Sequence, residues 1–338
     1  MSRRARVAAL MGRATIAALV LLAGAAGAVF AATRGDGGDG APAERGAAGW
    51  GALAPSPLER TEVGAARIGD RIYVVGGFIS SGGTTGRMAR YDISADAWRE
   101  VRALPIAVNH PGVTARKGRL YLVGGNPGGG DAKSNRLYRY SPRNDRWKRL
   151  ADAPTARAAI GFVAIGNKLY AAGGYTATND KVRRLEVYKP KRDRWTKGAK
   201  MPTGRNHVGA AVLDGDMVVT GGRPGAVHGG QTTVERYDPE RDRWRSMPPL
   251  ATARSGHATV AVGDRLVVFG GEELDGGTTI EQVELFEPAN GGWTPLPDMV
   301  TPRHGVGGAS KAGRVYALEG GPQPGLSYSS ALEFLDLG

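Results

Sequence analysis

Five arginines recur at one kind of place in this chain: Arg60, Arg157, Arg205, Arg254 and Arg303. The strings APTARAAIG, MPTGRNHVG and LATARSGHA put each just ahead of a short apolar run, and Val108 stands where a sixth would fall. A guanidinium is a permanent cation whose planar fork of donors matches a carboxylate. Five of them around one opening would bind anions. One step further on, the residues differ: Thr61, Asn109, Ala158, Asn206, Ser255 and His304. Scaffold positions repeat and ligand contacts vary, so Asn206, Ser255 and His304 join the five arginines as the candidate ligand-binding set. The competing reading is structural, with each arginine paired to a neighbouring repeat or to a strand glutamate, Glu186, Glu235, Glu284 or Glu333.

Four of the five histidines fall near the same place, His110, His207, His257 and His304. Their offsets from the arginine position differ, so convergence is not implied, and the expectation is no metal and no cofactor. Glu62, Glu272 and Glu319 are acid–base candidates by position alone. The chain has no Cys, which removes thiol nucleophiles, thiolate metal sites and disulfides.

The elements that must position these residues are set by tryptophan. The six Trp, at 50, 98, 147, 195, 244 and 293, are separated by 48, 49, 48, 49 and 49 residues. A period near 50 means one supersecondary unit repeated six times. A Gly-Gly pair ends an apolar run at Gly76, Gly124, Gly173, Gly221 and Gly270, and the sixth copy reads Glu319-Gly320. An aromatic stands seven residues before the Trp: Tyr91, Tyr140, Tyr188, Tyr237 and Phe286. Each copy thus reads as four short strands. The first two are joined by hairpin turns such as Gly166-Asn167, the third carries the aromatic, and the fourth carries the Trp.

Four-stranded units of this kind bury both faces only by stacking around an axis, and closing the ring protects the edges. The fold class is all-β, a six-bladed β-propeller. The last copy has three strands and no Trp, whereas Trp50 has no three strands before it. The segment around Trp50 is therefore expected to complete the final blade. The residues that follow Gly-Gly vary, Phe78, Asn126, Tyr175, Arg223 and Glu272, and their loops should open on the face that carries the arginines.

Apolar run–Gly-Gly, then Tyr, then Trp, with a Pro-x-x-Arg-like start to the units, resembles the kelch repeat family over about residues 49–338. The resemblance implies a propeller that serves as a protein-binding module, a scaffold or occasionally an enzyme. In members that bind acidic peptides, arginines at this position contribute to the pocket, which implies that role for Arg157, Arg205 and Arg254. Galactose oxidase chemistry needs a Cys-linked Tyr and is excluded. No Ser-x-Asp-x-Gly boxes of the sialidase kind occur. A mutarotase-like activity on an acidic sugar stays open, because some exported bacterial kelch-like propellers act on sialic acid.

The first 32 residues differ from the rest. Arg3, Arg4, Arg6 and Arg13 precede or border the uncharged stretch 14–32, and no acid occurs before Asp36. This is a basic region followed by an apolar one, the pattern of a signal peptide or an N-terminal anchor. Residues 33–48 read as a flexible linker rich in Gly, and 49–338 as the propeller. The formal charge is +13, and removing those four arginines leaves +9. The basic residues are scattered over turns without a continuous helix, so no nucleic-acid partner is expected, and anionic surfaces or acidic ligands fit better. The reading is an exported propeller, secreted or membrane-anchored. It binds a protein or an acidic ligand at an Arg-lined mouth. The alternatives are an enzyme on an acidic sugar and a purely structural surface scaffold.

Overall fold

The computed structural model describes residues 49–128, 132–178, 181–225 and 229–338. The expected N-terminal signal or anchor and the linker, 1–32 and 33–48, lie outside the described residues. The described chain is built from strands, and none of its helices is long and apolar enough to cross a membrane.

Six four-stranded antiparallel sheets form six blades. Blade 1 runs Gly64–Ile68, Arg71–Val75, Met88–Asp92 and Ala97–Val101 from the axis outward. Blades 2 to 5 repeat that order, with innermost strands Gly112–Arg116, Gly161–Ile165, Gly209–Leu213 and Ala258–Val262. Blade 6 takes three strands from the C-terminal end, Gly307–Lys311, Arg314–Leu318 and Leu332–Asp336. Its outer strand is Trp50–Leu53, paired Trp50 to Leu335 and Leu53 to Leu332. The closure expected from the unpaired Trp50 is what the chain adopts.

The second strand of each blade shows why both faces must be covered. In Arg71–Val75, Ile72 and Val74 join the core shared with blade 6, and Tyr73 and Val75 join the core shared with blade 2. Side chains alternate across a strand, so a fully apolar run needs a neighbour on each side. Six such cores result, one at each interface between blades.

Tyrosine and tryptophan fasten one blade to the next. Tyr188 and Trp195 face each other across the third and fourth strands of blade 3. The Tyr188 hydroxyl donates to Asp193 Oδ1, which also accepts the Ala151 N–H of the preceding link. The Trp195 Nε1 donates to the carbonyl of the same Ala151. One link residue is thus held by both its backbone groups. The arrangement recurs with Asp96 on Ala54, Asp145 on Arg102 and Asp242 on Ala199. Blade 5 loses all three parts together. Phe286 has no hydroxyl, Gly291 has no carboxylate, and the link residue under Trp293 is Pro248, which has no N–H to give.

The Gly-Gly pair brings consecutive blades close. A Cβ at Gly124 would sit 2.4 Å from the Arg157 carbonyl, and that carbonyl accepts the Gly125 N–H at 2.9 Å. Both glycines have positive φ, so a side chain would be strained as well as obstructed. The pair lies on the face that also carries the links between blades, called here the link face. The opposite face carries the two hairpin turns of each blade.

Candidate functional site

The five arginines are not where an anion could reach them. Each is buried, at 2% exposure or less, and paired with a glutamate. Arg157 meets Glu186 at 2.8 Å, Arg205 meets Glu235 at 2.7 Å, and Arg254 and Arg303 meet Glu284 and Glu333 at 2.9 Å. These are the strand glutamates of the structural reading. Carbonyls take further donors: Arg157 reaches those of Gly173, Arg184 and Ala171, whereas Arg205 Nε and Arg303 Nε and Nη1 stay buried without a partner among the described residues. A buried guanidinium with its carboxylate and carbonyls satisfied has little left for a ligand. The expected positive funnel is therefore corrected. Arg60, Arg157, Arg205, Arg254 and Arg303 brace the blades just behind the mouth. Burial depresses the basicity of the last four, and the glutamates work against it.

Two departures from the series confirm the pairing logic. Blade 1 has Ala89 where the others have the strand glutamate, and Arg60 turns instead to Glu319, which accepts from its Nε and Nη2, both at 2.8 Å. Glu319 occupies the first place of the sixth Gly-Gly at φ 55°, which accounts for the irregular sequence there. Blade 2 lacks both partners: Val108 and Tyr138 replace them and join the apolar core between blades 1 and 2.

What reaches the mouth is the residue two places after each arginine position: Glu62, His110, Ala159, His207, Gly256 and Gly305. All six have positive φ, between 52° and 64°. Their backbones form a closed ring about the axis. The N–H groups of His110, Ala159, His207, Gly256 and Gly305 each donate to the carbonyl of the preceding blade's member, and Val63 N–H closes the circuit onto Gly305. Glycine is the natural occupant of such a conformation, and blades 5 and 6 use it. Blades 1, 2 and 4 carry titratable side chains there instead.

Those side chains meet. His110 Nε2 lies 3.1 Å from Glu62 Oε2, and His304 Nδ1 lies 3.3 Å from Glu62 Oε1. Glu272 joins from the position after Gly-Gly, 3.6 Å from His304 Nδ1, and accepts from Arg223 Nη1 at 2.8 Å. Arg223 Nη2 donates to His207 Nε2 at 3.1 Å. Tyr175 stacks on His207 with the ring planes 5° apart, and Phe78 meets His110 edge-on. Behind the ring lies a cavity of about 90 Å³.

The charges follow from this packing. Burial would raise the Glu62 carboxyl, but His110, His304 and His207 outweigh it and hold the group well below the ordinary carboxylate range. Burial lowers His110, with Glu62 pulling back, and lowers His207 strongly with help from Arg223 and His110. Burial also acts to lower His304, yet Glu62 and Glu272 together raise it.

The variable neighbours therefore divide. His304 enters the cluster. Asn206 holds His207 by accepting from its Nδ1, and Ser255 Oγ sits 3.4 Å from Arg223 Nη1. Thr61, Asn109, Ala158, Asn206, Ser255 and His304 are all buried, each bridged antiparallel to the residue after Gly-Gly in its own blade. His257 does not converge. It is packed over blade 4, with Nε2 2.9 Å from Thr220 Oγ1 and its ring against Gly209 and Gly221. The converging residues that sequence reasoning passed over as a set, Glu62, His110 and His207, share one offset from the arginine position. That regularity was the available signal. A hollow of about 870 Å³ lies on the opposite face between blades 3 and 4. Four of its charged residues pair with one another, Arg236 with Asp216 and Arg241 with Asp238.

The chain matches the family model described as the KLHDC2/KLHL20/DRC7 Kelch-repeats domain over residues 109–321, and the Kelch motif over 59–105. It is 34% identical over 86 residues to Kelch-like protein 35 of Mus musculus, covering 25% of this chain and 14% of that protein. It is 36% identical over 70 residues to Kelch-like protein terF of Aspergillus terreus (20% and 15% covered), and 36% identical over 77 residues to human Kelch-like protein 41 (22% and 13%). The aligned segments thus span about one-seventh of these curated relatives. The solved structure titled "Structure of YjhT" superposes with a TM-score of 0.72 at 15% identity, covering 83% of this chain and 95% of that one.

Proposed function

The chain belongs to the kelch-repeat family, whose propellers typically serve as protein-interaction modules, and from that premise we propose that it binds a protein partner through the link face, with polar groups of the partner entering the mouth. The observation that carries this reading is where the six blades differ. The Trp clamps and Arg–Glu braces recur with few exceptions. The residue after Gly-Gly is different in all six blades, and the mouth position is filled by four kinds of residue, Glu, His, Ala and Gly. A ring that repeats its frame and varies one face presents that face to something asymmetric. An acidic group on the partner would be received by the two atoms of the mouth cluster that have no hydrogen-bond partner among the described residues, Arg223 Nε and His304 Nε2. With the N-terminal segment read as an export signal or anchor, the encounter would take place outside the cytoplasm.

The test is partner binding by the full chain with one charge reversed on each face. Arg223→Glu should abolish binding, and Arg241→Glu, on an exposed turn of the opposite face, should leave it unchanged. Equal loss, or loss only with Arg241→Glu, refutes the reading. A thermal-shift series with acidic peptides, dicarboxylates and sugar acids identifies the ligand class, since a ligand at a hundredfold its Kd stabilises by about 2.7 kcal/mol.

One observation favours the enzyme reading. Glu62 lies between His110 and His304, so a base and an acid stand within reach of one small molecule. Anomer exchange of sugar acids, followed by NMR for the wild type and Glu62→Gln, decides it: no acceleration over buffer removes this reading.

A further inference from the structure

We infer that Glu62, His110 and His207 form a binding site for a divalent transition cation of the zinc type, on the propeller axis at the link face. One ligand atom from each of the three lies within 4.8 Å of the other two. Tetrahedral zinc with bonds of about 2.0–2.1 Å separates its ligands by about 3.3 Å, so modest side-chain movements close the set around an ion.

Three further features point the same way. The imidazoles are oriented for ligation. His110 Nδ1 lies 2.6 Å from Asn109 Oδ1, and His207 Nδ1 is bonded likewise to Asn206 Oδ1. Asn109 is itself fixed, its amide donating to Thr84 Oγ1 at 2.7 Å. An imidazole that donates from Nδ1 keeps its lone pair on Nε2, and an outer partner on the other ring nitrogen is the usual support of a metal-bound histidine. The same Asn-His pair is used in blades 2 and 4.

The backbone gives the second feature. All three residues hold positive φ in the closed ring, the conformation for which blades 5 and 6 use glycine. A non-glycine residue there is strained, and the frame does not require these side chains. The third is the open side. Ala159, Gly256 and Gly305 complete the ring without donors, beside the cavity of about 90 Å³. Three protein ligands with room for water or a ligand group is the pattern of an exchangeable zinc site. Glu62 offers Oε2, leaving Oε1 to His304. Arg223 leaves His207 and keeps Glu272, to which its Nη1 is already bonded.

The site stands apart from the partner-binding reading and uses the same lone pairs as the acid–base reading, so it is measured without partner or substrate. The untagged full chain is stripped with chelator and titrated with zinc(II), and separately with cobalt(II). One ion per chain, visible d–d absorption of four- or five-coordinate cobalt, and a zinc-dependent rise in melting temperature are expected. His110→Gly/His207→Gly, glycine being the residue the backbone prefers there, should fold by circular dichroism and lose all three signals. Asn206→Ala, a positioning change, should weaken zinc binding about 10–100-fold. Absence of cobalt bands and of a zinc-dependent shift in the folded wild type overturns the inference. So does undiminished binding by the folded double-glycine variant. Should that variant fail to fold, Glu62→Gln supplies the same comparison, because an amide is a far poorer ligand than a carboxylate.

Discussion

Arg205 and Glu235 set the energetic scale for a single residue in this ring. Both are buried, and the pair is 2.7 Å apart. Removing one partner strands the other charge in a low-dielectric interior, which typically costs about 3–5 kcal/mol. Arg205→Ala should lower unfolding stability by about that amount in urea titration. The double change Arg205→Val/Glu235→Tyr reproduces what blade 2 has at Val108 and Tyr138. It should cost less than either single change, because an apolar pair carries no stranded charge. A double variant no better than the singles would mean that the pair is held by packing alone.

At the scale of the element, the clamp between blades is the unit of design. Asp193→Gly keeps the positive φ of 44° accessible and removes the acceptor shared by Tyr188 and Ala151. It should cost about 0.5–1.5 kcal/mol, the net worth of a hydrogen bond whose groups water can reach once it is broken. The loss depends on pH. The bond from Tyr188 and the backbone N–H of Ala151 hold Asp193 below the ordinary aspartate value, against the opposing effect of burial. A depressed folded value means stability that is complete above the unfolded pKa of about 4 and disappears as pH falls through the folded value. The gap between wild type and Asp193→Gly should therefore be constant from neutral pH to about 5 and shrink below about 4. Gly291→Asp in blade 5 is the control. Pro248 offers no N–H and Phe286 no hydroxyl, so the new carboxylate should add no stability.

For the whole molecule, the closing strand decides whether six blades behave as one. Trp50–Leu53 completes blade 6, and Trp50 Nε1 donates to the Pro297 carbonyl of the preceding link. Removing residues 49–54 would expose the edge of Leu332–Asp336 and leave the core between blades 5 and 6 without its Trp50 cover. The shortened protein should unfold at lower temperature and associate through the bare edge. Scanning calorimetry and size-exclusion chromatography would check both effects. An unchanged melting transition would show that the inner-strand ring holds the molecule closed without the outer strand.

What the sequence determined by itself is whatever recurs at its period. Six Trp at a step near 49 specified six blades, and the unmatched Trp50 specified how the ring closes. The candidates for pairing with the arginines, Glu186, Glu235, Glu284 and Glu333, were legible because each lies within the same repeat, some thirty residues away. The choice between a binding ring and a structural ring was not legible. It depends on whether a side chain points at the axis or into the blade, and that is a matter of backbone direction over two residues. The chain turns to positive φ just past the arginine, which directs the arginine inward and the next residue but one to the axis. Only the closed tertiary structure therefore brings Glu62, His110 and His207 together. They are up to 145 residues apart and come from three different blades, and what unites them is the curvature of the ring.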